Sequence, residues 1–572
     1  MSDFMNSGTS GSLTAKLWRG ERMCLIGMDV VDPEPDFVGF SIEVKSPGKK
    51  TYSPLRNRIA FSYDKPTATA VNGFRNYPSL VAPFQKFRWI HFPYDPKDGT
   101  YRYRITKQHM PSDNKLVAGD TKSVDISLSK ETYSGFLDIG FTRSFASSQA
   151  YVDKFQNDPN VIPSSGTSGL SFDKTKSPAG VYQWLGFEAY DLIFSLLDEV
   201  VNDKSLSLDV FAYDLNEPDV VARFASLGSR LRIIIDDSAS HGKTTNDASI
   251  AAQKLIATAG AGNVHRMHFN SLQHNKVLIV KKNGKPVKVL FGSTNFSFRG
   301  IYIQANNALL FTSADVAGLF SQYFDLAFAD SPDFTSNVLF SSWHTVKMNG
   351  KPDLQLCFAP HASADLSLGP IGQAIDQAAS SVFFAIAFLY QTKSGAVREA
   401  VDRLMKRDVF SYGISDKTSS LEITKPDGSI ALVPFSYLAK NAPQPFSAEW
   451  SGGSGINEHN KFVVTDFNLP TARVYTGSSN LSPSGETNNG DNLVVIQDQR
   501  VAVSYAVDAL RIFDHLHFRA RMNQASGLAP RAAQQALTLQ KPIAISGLKQ
   551  SWFATSYAAG DQAQRDRLLF SH

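Results

Sequence analysis

One constellation occurs twice in this chain with the same internal spacing. His274-Asn275-Lys276 precedes Gly292-Ser293-Thr294-Asn295, and His459-Asn460-Lys461 precedes Gly477-Ser478-Ser479-Asn480. In each copy the Gly lies 18 positions after the His, and the last Asn lies 21 after it. A repeat of this kind demands that two stretches of chain fold alike and that one architecture hold both. The surrounding segments meet that demand. Helical periodicity over 190–201 precedes a buried-strand run over 207–213, then a helix over 219–227 and a strand from Leu231. In the second half a helix over 371–379 precedes a strand over 382–388 and a helix over 396–406. The pattern is α/β, presented twice.

The residue types point to phosphate chemistry. On a strand, a His and a Lys two apart share one face. The small residues of Gly-Ser-x-Asn would let a phosphate approach closely, with the Ser293 and Ser478 hydroxyls and the Asn295 and Asn480 amides as donors. Two copies supply two His, two Lys and two Asn. That set suits a phosphodiester: Lys276, Lys461, Asn295 and Asn480 hold the non-bridging oxygens, one His attacks phosphorus and the other protonates the leaving oxygen. A third His-x-Lys, His241-Gly242-Lys243, has Ala259 at the 18-residue offset and no Gly-Ser-x-Asn, so it reads as a loop. Asp236 and Asp237 close a strand and read as turn residues.

The paired motifs resemble those of the phospholipase D superfamily, His-x-Lys-x4-Asp followed by Gly-Ser-x-Asn, twice in one chain. The resemblance implies two α/β halves with pseudo-two-fold symmetry, an active site between them, a phosphohistidine intermediate and no required cofactor or metal. It makes His274, Lys276, Asn295, His459, Lys461, Asn480 and Asp491 the catalytic set, with Asp466, Ser293, Ser478 and Asn306 in support. The sequence departs from the family pattern in two places. Lys281 stands where the first copy should match Asp466, and Asn306 stands where it should match Asp491. The run from Lys281 to Lys285 reads as a solvated basic hairpin. If each carboxylate serves the opposite half, Asp491 supports His274 while His459 faces a neutral amide. A carboxylate partner raises the basicity of an imidazole, which makes His274 the expected nucleophile and His459 the general acid, with the swapped order left open. Tyrosyl-DNA phosphodiesterases, relatives in the superfamily, lack both aspartates; retention of Asp466 here weakens that likeness.

Ahead of the repeat, short alternating strands and turns suit an all-β sandwich. Residues 98–105 resemble a late strand of an immunoglobulin- or fibronectin-like domain. The expected organisation is a β-sandwich over 1–140, α/β halves over 141–345 and 346–526, and a C-terminal tail over 527–572. Two cysteines, Cys24 and Cys357, exclude a disulfide framework and a cysteine-ligated zinc site. The longest apolar run, 382–390, is too short to span a bilayer, and no secretory signal is visible at the N-terminus. Those features imply a soluble protein, cytoplasmic or exported without a cleaved signal. A net charge of +4 over 572 residues is far from that of a nucleic-acid wrapping protein and favours a phospholipid head group at a membrane surface as substrate. The expected reaction is hydrolysis of that diester, or transfer to an alcohol. The alternatives are a metal-independent nuclease acting on nucleic acid and a non-catalytic protein that binds phosphate or an anionic surface. Oligomeric state is not legible.

Overall fold

The computed structural model describes residues 3–62, 77–145, 148–156, 158, 160–163, 168–329, 334–438, 456–526 and 538–572. The N-terminal part consists of two antiparallel four-stranded sheets. One runs in the order Met5–Ser10, Leu13–Gly20, Met23–Val30, Arg88–His91, and the other Val117–Leu128, Gly99–His109, Phe37–Lys45, Ser53–Pro54. Leu13, Ala15, Leu17, Ile26 and Met28 from the first sheet meet Ile42, Tyr101, Tyr103 and Ile105 from the second in one core, so the unit is a β-sandwich. The alternation expected of a half-solvated sheet breaks down in Met23–Val30, where every residue is buried. Its other face, with Trp18, lies against the α/β halves.

Each half is built on one mixed sheet. The first has the order Leu137–Phe141, Asn307–Phe311, Lys285–Gly292, Lys276–Lys282, Leu206–Ala212, Leu231–Ile235, Val264–Arg266. The second has His344–Val346, Asp353–Ala359, Asp491–Gln497, Arg473–Gly477, Lys461–Thr465, Ser381–Ile386, Phe410–Ser415, Leu432–Pro434. In both, the last three strands are parallel and the others antiparallel. The motif strands are buried on both faces, which is why they read as unbroken apolar runs. Val277 and Ile279 enter a core shared by the two halves, whereas Leu278 and Val280 enter the outer layer with the helix Val181–Asn202.

Two expected boundaries move. The strand Leu137–Phe141 pairs with Asn307–Phe311 in the first-half sheet, so the sandwich ends before 137 and not at 140. A strand's alternation does not say which sheet it joins; only the ladder does. The described part of the expected tail is also integral. Its helix Gln562–Ser571 buries Phe570 among Phe383, Phe410 and Phe467, and the Phe570 carbonyl accepts from Trp18 Nε1 at 2.8 Å. Arg567 and His572 both pair with Asp29 of the sandwich. The C-terminal helix therefore clamps the sandwich to the second half.

Candidate active site

Both motif histidines sit just ahead of the first residue of a central strand, Lys276 or Lys461, at the seam between the two sheets. The contacts across the seam are reciprocal. Gln273 bridges to Gly490 and Glu458 bridges to Ala305, and each motif residue lies 185 positions from its counterpart. The His274 amide donates to the Gly490 carbonyl at 2.9 Å, and the His459 amide to the Ala305 carbonyl at 3.0 Å. The downstream partners cross over as well. His274 Nδ1 lies 2.8 Å from Asp491 Oδ1, and His459 Nδ1 lies 2.9 Å from Asn306 Oδ1 and 3.2 Å from the Ser293 carbonyl.

These partners fix the tautomers. Asp491 is fully buried, which would raise its carboxyl, but His274, Lys276 and the Ser478 hydroxyl outweigh burial and hold it below the usual range. It is an acceptor, so His274 Nδ1 carries the proton. Asn306 donates its amide to the Gly300 carbonyl at 2.9 Å, which turns its oxygen toward His459, and His459 Nδ1 also donates. Each Nε2 is left as the reactive atom.

Four basic side chains share this buried space. Burial, then Lys276, bring the His274 imidazole down to about 4 despite Asp491. Burial and the neighbouring Lys461 hold His459 well below the usual imidazole value. Burial lowers the Lys276 ammonium to about 7, and burial with Lys276 beside it depresses Lys461 strongly. Each lysine donates to the carbonyl of its own histidine, Lys461 to His459 at 2.7 Å and Lys276 likewise to His274. Neither has a carboxylate within salt-bridge distance among the described residues, and an anion among them would favour their charged forms against the cost of burial.

The Gly-Ser-x-Asn elements work differently from the expectation. Gly292 and Gly477 have φ of +148° and +150°, and a Cβ there would come 2.6 Å from the Asn307 carbonyl oxygen or 2.2 Å from that of Asn492. The glycines make room for the neighbouring strand and not for phosphate. The serine hydroxyls face inward too: Ser293 donates to Asn306 Oδ1 at 2.8 Å and Ser478 to Asp491 Oδ1 at 2.6 Å. They orient the partners of the histidines. The Asn295 and Asn480 amide oxygens are buried without partners among the described residues.

The departure at Lys281 has a local explanation. Asp466 accepts from the backbone amides of Ala379, Ser380 and Ser381 at 2.9, 2.7 and 3.3 Å, tying the entry of the strand Ser381–Ile386. Lys281 instead pairs with Asp209 at 2.6 Å, on the neighbouring strand, and Arg232 binds the same carboxylate. The expected solvated hairpin is thus only partly so, since Lys281 is buried while Lys282 and Lys285 are exposed.

Several contributors lacked a sequence signal strong enough to name them. Asn492 Nδ2 donates to Asn275 Oδ1 at 2.7 Å, and Asn307 Nδ2 donates to Asn460 Oδ1 at 3.1 Å, a second reciprocal pair across the seam. Their signal was the repeat itself, because all four occupy matched positions. Asp236 is not a simple turn residue. It is fully buried, and its Oδ1 accepts the amide of Gln273, next to His274, at 2.7 Å. Tyr213 packs edge-on against His274 with centroids 4.7 Å apart, and Lys276 lies over its ring.

Residues 204–327 and 371–513 match the family described as "Cardiolipin synthase, PLD-like domain". No curated protein matches the chain. Among solved structures, phosphatidylserine synthase from Haemophilus influenzae Rd KW20 is 13% identical, with 67% of this chain and 93% of that one covered at a TM-score of 0.41. Nuc from Salmonella typhimurium is 21% identical over 23% of this chain and 84% of that one, at 0.19. Yeast tyrosyl-DNA phosphodiesterase is 10% identical over 53% of this chain and 87% of that one, at 0.29. Likeness at that level carries no argument about chemistry. The paired domain match falls on both halves that carry the duplicated motif, and these two segments are phospholipase D-like domains.

Proposed function

We propose that the two halves, related by a pseudo-two-fold axis, form one phosphodiesterase site in which His274 is the nucleophile. The observation that carries the reading is the asymmetry inside a reciprocal arrangement: a carboxylate behind His274, an amide behind His459. The carboxylate stabilises positive charge on His274 as its Nε2 lone pair bonds to phosphorus. The P–O bond to the leaving alcohol breaks, and a proton on His459 Nε2 passes to that oxygen. His459 reaches this doubly protonated state because the anionic phosphodiester beside it offsets the cost of burial and the repulsion from Lys461 and Lys276. Lys276, Lys461, Asn295 and Asn480 hold the non-bridging oxygens. His459, now neutral, takes a proton from water, whose oxygen displaces His274 and releases a phosphomonoester. An alcohol in place of water gives transfer.

The substrate we favour is a phospholipid head-group diester. The near-neutral net charge supports it over a nucleic acid, which calls for a basic groove. We read the N-terminal unit as immunoglobulin-like, since the pairing of Met23–Val30 with Arg88–His91 and of Phe37–Lys45 with Gly99–His109 divides its strands between sheets as in that fold. The test is a hydrolysis panel in EDTA with phosphatidylethanolamine vesicles, single-stranded DNA and bis(p-nitrophenyl) phosphate. Wild type releases ethanolamine, and His274→Ala lowers every rate by at least about a thousandfold. DNA cleavage without lipid turnover replaces the substrate reading. No turnover of any diester favours a binding protein.

A further inference from the structure

His241 stands one aromatic ring away from His274. The Tyr213 ring meets His274 at 4.7 Å and His241 at 4.8 Å between centroids, both edge-on. The two imidazoles therefore lie within about 10 Å of each other, on either side of the Tyr213 ring. His241 is also held in place. Its Nδ1 donates to Asp236 Oδ2 at 2.8 Å, and its carbonyl accepts from Arg266 Nη2 at 2.7 Å. One buried carboxylate thus fixes both the chain at Gln273 and the His241 ring. With Nδ1 committed, Nε2 has no hydrogen-bond partner among the described residues, and the side chain keeps 14% of its exposure.

Among the described residues the second half offers nothing equivalent. There Asp416 accepts the amides of Asn457 and Glu458 at 2.9 and 3.2 Å, and no imidazole bonds to it among the described residues. The ring beside His459 is Phe388, at 6.2 Å. Among the described residues the two flanks of the phosphate site therefore differ, with Tyr213 and His241 on the side of His274 and Phe388 on the side of His459.

Taking the phosphodiesterase reading as given, we infer that Tyr213 and His241 form a subsite for the ester substituent on the first-half side, and that it selects a substituent bearing a hydroxyl or amine. His241 Nε2 accepts from that group. The Tyr213 hydroxyl, pushed up to about 12 by burial and then by Asp236, stays protonated; it donates to a substituent hydroxyl and accepts from an ammonium. An alkyl substituent has nothing to offer either atom.

The test is calorimetric binding of methyl phosphate and phosphoethanolamine to the full chain. Wild type prefers phosphoethanolamine by about tenfold, the worth of one good hydrogen bond. His241→Asn keeps a donor for Asp236 but lacks the distal nitrogen, and the preference collapses toward unity. His241→Gln restores a distal polar atom and recovers part of it. Equal affinity of wild type for the two probes overturns the subsite, as does an unchanged preference in His241→Asn. Failure to bind methyl phosphate at all overturns the phosphate-site reading beneath it, which is a distinguishable result.

Discussion

His274 of the first half and Asp491 of the second are joined by a 2.8 Å hydrogen bond across the seam, and the carboxylate is the group that the first half lacks at the matching position. The matching contact joins His459 to the neutral Asn306. Duplication supplied two equivalent imidazoles, and one amide in place of one carboxylate made them unequal. The serine of each Gly-Ser-x-Asn holds its own half's partner in place, so the inequality is built into a rigid frame.

Asp491→Asn makes the two sides alike. The fold and both serine bonds survive, but the charge that stabilises cationic His274 is lost. The expected kcat falls by about 10–100-fold. Asn306→Asp in the same background places a carboxylate behind His459 and should move the phosphorylated residue toward the second half. Acid-quench labelling with a phosphodiester, followed by mapping of the phosphohistidine, reads this directly. Label on His459 in wild type would refute the assignment.

Anion binding should draw protons into the site. Lys276 sits at about 7 in the free protein, so at pH 8 it is mostly neutral, and an anion beside it raises it. Sulfate, whose own charge is constant between pH 6 and 8, should bind with an uptake greater at pH 8 than at pH 6 by up to about one proton. Calorimetry in buffers of different ionisation enthalpy measures the difference. The same depression affects stability. Because the ordinary value is 10.5, the unfolded chain binds more protons between pH 7 and 10.5, and this contribution to stability, full above 10.5, is lost progressively as pH falls to 7 and levels off below it. Uptake independent of pH would sink the idea.

Much of the site was legible because its groups are chemically specific and spaced within short segments. His274, Lys276, Asn295 and their counterparts needed only the repeat; matched offsets set Asp491 against Asn306, and the crossing of Asp491 to His274 was what the family resemblance implied. Other features depended on which strand lies beside which. Nothing in Gly292 indicates that its missing side chain makes room for the Asn307 carbonyl, and nothing in Ser293 says that its hydroxyl serves Asn306. His241 lacks a second copy, and Asp236 lies 38 positions before His274 whereas its counterpart Asp416 lies 43 before His459, so matched offsets singled out neither. The C-terminal helix was missed because Phe570 alone carries little periodicity; docking against Phe383, Phe410 and Phe467 buries it.

Restoring the family residue at position 281 should harm the protein. Lys281→Asp would put a second carboxylate beside Asp209, which is nearly fully buried, and remove one of its two cations. The expected cost is about 3 kcal/mol or more. Asp209→Ser together with Lys281→Asp removes the clash and should recover part of it. Urea unfolding of the two variants checks the order, and a more stable Lys281→Asp protein would show that Asp209 does not govern this position.

Phe570→Ala tests whether the C-terminal helix belongs to the core. The side chain is fully buried against three phenylalanines of the second half, and its backbone carbonyl is tied to Trp18 of the sandwich. Truncation leaves a cavity that these rings cannot fill without leaving their own contacts, so a loss of about 3–5 kcal/mol is expected. Leu568→Ala on the same helix is the control, since Leu568 is 40% exposed and its loss should cost far less. Because the helix bridges two units, Phe570→Ala should lower the urea midpoint of both the sandwich and the second half. Tryptophan fluorescence from Trp18, alongside loss of activity, follows the two together. A midpoint equal to wild type in both signals would mean that the helix docks without contributing to either.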